Sequence, residues 1–135
     1  MYTNIQKLKE SKTQSNINNK TNKIYDLHER FQSYFERVIK LCKKCEKNSV
    51  TMRIIPQAVA SSGSLPANYA EASEAMSKKD FVKCIKIARK EVRESKVWIK
   101  GLKISVNFND TEFDLLLRES DEIFYILTSI LKKLT

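Results

Sequence analysis

Two pairs of glutamates stand at helical spacing, Glu71 with Glu74 and Glu91 with Glu94, each a Glu-x-x-Glu. Carboxylates three residues apart share one face of a helix. Two such pairs on facing helices could hold a divalent metal and serve a Mg2+-dependent phosphohydrolase. A di-iron site would need histidines as well, and His28 is the only one in the chain. The plainer use is structural. Glu91 and Glu94 would neutralise nearby Lys and Arg, while Asn68 and Glu71 hold helices in register through buried hydrogen bonds. We take Asn68, Glu71, Glu91 and Glu94 as a structural polar network, with no metal, no cofactor and no catalysis, and keep the phosphohydrolase as an alternative.

Cys42 and Cys45 form a Cys-x-x-Cys, half of a zinc site or a redox pair. No second Cys-x-x-Cys completes a tetrahedral set, and both residues fall on or beside an apolar stripe, where a free cysteine packs as a small hydrophobe. With Cys84 the thiols number three, an odd count without a disulfide framework. Met1 to Lys23 lacks the apolar middle of a secretion signal, and no apolar run approaches the roughly 18 residues of a membrane span. These features predict a reduced, cytoplasmic protein.

The strongest chemical bias is positive charge. The chain carries a net +9, and between Lys78 and Lys103 ten basic residues face three acidic ones. Solvated helices usually interleave the two signs for i,i+4 pairing, and this stretch does not. Lys79, Lys83, Lys86, Lys90, Arg93 and Lys100 are the candidates for phosphate contact, which would give salt-sensitive and sequence-indifferent nucleic-acid binding. Lys7, Lys9, Lys12, Lys20 and Lys23 would assist from the N-terminal stretch. Trp98, Tyr69, Phe81 and Phe124 read as core or interface anchors rather than stacking platforms.

The elements that must position these residues are helices. Two glycines and two prolines in 135 residues leave little for turns, and 41% hydrophobic residues suffice for a core. Residues 1–23, polar and lysine-rich, are expected to be a disordered basic arm. A helix is expected from Ile24, with Leu27, Phe31, Tyr34, Phe35, Val38, Leu41, Cys42 and Cys45 on its apolar face. A second is expected from Met52 to Met76, running with a local kink through Gly63 and Pro66. Its small residues, "SSGSLPANYAEASEAM", would let neighbouring backbones approach closely. A third starts after the cap Ser77 and runs to about Ser105, burying Phe81, Ile85, Ala88, Val92, Ser95, Ile99 and Leu102. A fourth follows "VNFND", with Thr111 as its cap and an apolar stripe from Phe113 to Leu134. The expected architecture is an all-α, up-down-up-down four-helix bundle over 24–135.

Several of these residues form a recognisable set. "SSGSLPANYAEA", with Asn68 and Glu71, precedes the helix start Ser77, Lys78, Asp80 and Phe81 and the run Glu91, Glu94 and Trp98. Together they resemble the bacterial four-helix bundle proteins encoded in intervening sequences of large-subunit ribosomal RNA genes. The resemblance spans Ile24 to Leu134, with Pro56 and "EASEAM" departing from it. It implies a four-helix bundle assembled as a homopentameric ring. It also implies kinship with the accessory variability determinant of diversity-generating retroelements, a basic pentamer that binds a reverse transcriptase and nucleic acid. For most such proteins no biochemical activity is known. The expected function is a non-catalytic accessory scaffold associated with nucleic acid or ribonucleoprotein, its partners RNA or DNA and a reverse transcriptase or other protein. A purely structural oligomer that binds a protein partner is the alternative.

Overall fold

The computed structural model describes residues 26–134, so the expected basic arm and the expected helix start at Ile24 lie outside the described residues. Those described form four helices and no strand: α1 (Leu27–Lys44), α2 (Thr51–Ser73), α3 (Lys78–Ser105) and α4 (Thr111–Leu134). Each helix packs on the next in the chain, and α4 also touches α1.

Each helix is set by local chemistry. The Asp26 carboxylate accepts the His28 N–H at 3.1 Å to open α1. Ser77 Oγ accepts the Asp80 N–H at 3.1 Å to open α3, as expected. At α2 the work falls to Asn48, whose Oδ1 accepts the N–H groups of Val50 at 2.9 Å and Thr51 at 3.0 Å. Thr51 answers by donating its hydroxyl to the Glu46 carbonyl at 2.6 Å.

The cap of α4 is a correction. Thr111 lies inside the helix, and the Asp110 carboxylate accepts the Glu112 N–H at 2.9 Å. Lys44, at 2.8 Å, holds that carboxyl below its ordinary pKa, with the Glu112 backbone bond acting the same way. Because the folded state binds this proton less readily, its stabilisation is present above the ordinary aspartate range and is lost as pH falls. Asp110→Ala is therefore expected to lower the thermal midpoint and Thr111→Ala to leave it unchanged. The reverse order in melting curves would return the cap to Thr111.

α2 continues through both Pro56 and Pro66. Pro66 brings no N–H, which leaves the Ser62 carbonyl without its usual helical donor. Small residues are spent on close approach. A Cβ on Gly63 would stand 2.9 Å from Phe35 Cε1 of α1 and 3.1 Å from Cζ. Alanine there would gain helix propensity of about 1 kcal/mol but would push the half-buried Phe35 ring aside. Gly63→Ala is expected to stay within about 1 kcal/mol of the parent, and Gly63→Leu to cost about 1–3 kcal/mol in urea unfolding. A leucine variant as stable as the parent would mean that α1 and α2 are not closely apposed there.

One core joins all four helices. α1 contributes Phe31, Tyr34, Val38, Leu41 and Cys42, joined by Cys45 just past its end, and α2 contributes Ala58, Leu65, Tyr69 and Ala72. α3 buries the seven residues expected of it, and α4 buries Phe113, Leu116, Ile123, Leu127, Ile130 and Leu131. Burial pushes the Cys42 thiol up to about 11 and raises Cys45 as well, so both pack as hydrophobes. At the centre, the Tyr34 hydroxyl lies 2.6 Å from Ser95 Oγ of α3, with Ser120 of α4 beside it. The two serines keep backbone partners as well, Ser95 donating to Val92 and Ser120 to Leu117.

Candidate nucleic-acid interface

Two populations of cations on α1 and α3 differ in what they meet among the described residues. Along α1, Arg30, Arg37 and Lys44 recur every seven residues and meet acids of α4 and the turn before it. Arg30 grips Glu119 with two bonds at 2.8 Å and adds Glu122 at 2.8 Å. Arg37 grips Glu112 at 2.8 and 3.0 Å, and Lys44 reaches Asp110. The other flank of α4 meets α3 with the same period. Arg89 donates to Thr128 at 3.2 Å, Lys96 to Asp121 at 2.7 Å and Lys103 to Asp114 at 2.7 Å. In each ladder residue numbers rise on one helix as they fall on the other, the signature of antiparallel neighbours. Exposed pairs of this kind contribute about 0–1 kcal/mol each, the bidentate arginines being the better placed.

The second population faces outward. Lys79, Lys83, Lys86, Lys90 and Lys100 are exposed, and none has an ion pair among the described residues. They stand on the side of α3 away from Phe81, Ile85 and Ala88, because seven-residue recurrence keeps a row on one helix face. Arg93 departs from the expectation. Its guanidinium sits 3.7 Å from the Phe124 ring centroid and 3.6 Å from Asp121, so the cation is engaged within the bundle. Ile104 and Val97 continue the same face toward its C-terminal end, 86% and 58% exposed.

The expected polar network does not assemble. Glu71 and Glu94 are exposed, and the half-buried Asn68 donates to the Ser64 carbonyl of its own helix at 2.8 Å. Among the described residues the Glu71 carboxylate receives a long 3.9 Å contact from Cys84 Sγ, and the half-buried Glu91 is raised in pKa, by burial first and then by Glu94. Among the described residues no three His, Cys, Asp or Glu side chains form a group able to hold a metal ion. The cross-helix polar contacts are elsewhere, at Tyr34 with Ser95 and at His28, whose Nε2 lies 3.0 Å from Ser73 Oγ and whose ring meets Tyr69 edge-on at 4.7 Å. Sequence reasoning missed both heptad ladders, although acids at 112 and 119, and at 114 and 121, carry the same seven-residue beat as the cations opposite.

Among the described residues these features define an all-α bundle of four helices, α3 carrying a lysine row without ion pairs. The chain belongs to the 23S rRNA-intervening sequence protein family, whose pattern matches residues 22–129. It is similar to a crystal structure of a protein of unknown function from the S23 ribosomal protein family of Bacteroides thetaiotaomicron VPI-5482. That likeness has 25% identity and a TM-score of 0.70, and covers 79% of this chain and 99% of the other. No curated protein matches the chain. No helix among the described residues is long and apolar enough to cross a membrane.

Proposed function

We propose that the protein is a non-catalytic accessory scaffold that associates with nucleic acid or ribonucleoprotein through the outer face of α3. The single observation behind this reading is the row Lys79, Lys83, Lys86 and Lys90, exposed and without an ion pair among the described residues, while Lys96 and Lys103 of the same helix are matched to acids. Lysines placed three and four apart repel one another along a helix, by about 0.2–0.5 kcal/mol per pair, so the row works against helix stability. An anionic polymer would relieve that repulsion and release its own counterions. In this proposal the copies assemble as a ring of five, which would repeat the row and raise its effective valency. A reverse transcriptase is the protein partner it would serve.

Lys86→Glu tests the reading. The new carboxylate would sit three or four residues from Lys83, Arg89 and Lys90, which favours the helix. We expect an unchanged or slightly raised thermal midpoint together with about tenfold weaker retention of labelled nucleic acid, the parent being retained at about 50 mM salt. Folded parent protein that retains no RNA or DNA at that salt overturns the proposal. So does unchanged retention by the variant.

The exposed Val97 and Ile104 favour a second reading, a face that docks a protein. A specific partner recovered after nuclease treatment, and lost in Val97→Ser with Ile104→Ser, would support it; recovery unaffected by these substitutions would not.

A further inference from the structure

The row on α3 differs in build from a surface made for single strands. Proteins that hold single-stranded nucleic acid combine a basic groove with exposed aromatic rings, each stacked base contributing about 1–3 kcal/mol. α3 offers no such ring. Phe81 is buried, Trp98 is packed against the core, and Phe124 on the neighbouring helix lies under the Arg93 guanidinium. Tyr125, on α4, is exposed, but it stands outside the row. The row also carries no Asn, Gln or free Arg with which to read a base edge, and no hydroxyl to reach for a ribose 2′-OH.

What the row does offer is straightness. Lys79 to Lys90 spans about 16 Å of helix, and Lys100 lies about 15 Å further along, turned about 80° round the axis from Lys90. A duplex presents one phosphate charge per roughly 1.7 Å of its axis, so the first four lysines face on the order of ten charges. Its stiffness, with a persistence length of about 50 nm, means that lying along this edge costs it little conformational entropy. A single strand would have to be straightened to meet the same lysines, with no stacking to offset that ordering.

From this geometry we infer that the α3 row is a binding site for the phosphate backbone of double-helical nucleic acid, of either sugar, and discriminates against single strands. The inference rests on the proposed nucleic-acid association and narrows its ligand.

The test uses the full chain with probes of equal length: duplex RNA, duplex DNA and an unstructured homopolymer strand, each across a salt series. Both duplexes are expected to bind at least about tenfold more tightly than the strand, with log K falling against log salt at a slope near −3.6 rather than about −2.8 for four contacts. Changing Lys79, Lys83, Lys86 and Lys90 to Gln should bring the duplexes down to the level of the strand. The difference between parent and variant isolates the row from the five lysines of residues 1–23, and circular dichroism checks that the variant folds. A strand bound as tightly as the duplexes overturns the inference and leaves the proposed function standing. A duplex preference that survives in the variant also overturns it. Folded protein that binds none of the probes overturns both.

Discussion

Replacing Lys79, Lys83, Lys86 and Lys90 together with glutamine is expected to weaken binding to duplex nucleic acid by about 4,000-fold near 0.1 M salt. The size follows from counterion release. Each phosphate contact carries a factor of close to ten at that ionic strength, and the variant removes four at once. Stability should hardly change. The lysines have no ion pair among the described residues, and their mutual repulsion is lost together with weak attractions such as Lys83 to Asp80 and Lys90 to Glu94. The net change is expected within about 0.5 kcal/mol in urea unfolding. Affinity lost with stability kept is the pattern a binding face must give. A variant that unfolds, or binds as before, would show that the row belongs to the architecture or to nothing.

Between pH 10 and 12 the fold is expected to collapse, with Tyr34 as a principal cause. Burial, opposed by the Ser95 and Ser120 hydroxyls, pushes the Tyr34 phenol up to about 12, and burial does the same for Tyr69. The ordinary phenol titrates near 10, so the unfolded chain gives up these protons first. The stabilisation is complete below about pH 10 and is lost as pH rises through the folded values, at about 1.4 kcal/mol per unit for each tyrosine. Two units on two residues amount to roughly 5 kcal/mol, comparable with the whole stability of a small domain. Tyrosinate absorbance at 295 nm should therefore rise in step with loss of helical ellipticity. Tyr34→Phe, costing only about 1 kcal/mol at neutral pH because both serines keep backbone partners, should move the collapse to higher pH. Full tyrosine titration near 10 with the helices intact would contradict the burial.

The seven core positions of α3 could be read directly because Phe81, Ile85, Val92, Ile99 and Leu102 contrast sharply with the charged residues between them. α2 was harder. Ala72, Ser61 and Thr51 are buried while Ala70 is exposed, and small side chains look alike on either face. Asp110 and Thr111 are both good caps, and only the backbone path decides which one lies outside the helix. Arg93 holds the right place in the lysine row, but Phe124 and Asp121 lie about thirty residues away in the chain, beyond any local pattern. Glu71 carried a family pattern and a helical spacing, neither of which reports solvent exposure.

The two ion-pair ladders are degenerate under translation. Sliding α4 by two turns would bring Arg37 to Glu119 and Lys44 to Glu112, and on the other flank Lys103 to Asp121. Like the repeating marks of a vernier, the ladders fix alignment only modulo seven. The Tyr34 phenol breaks the ambiguity, for the same slide would carry Ser120 away and set Leu127 or Phe113 against a buried hydroxyl. One interior hydroxyl thus serves as the index mark that the outer charges lack.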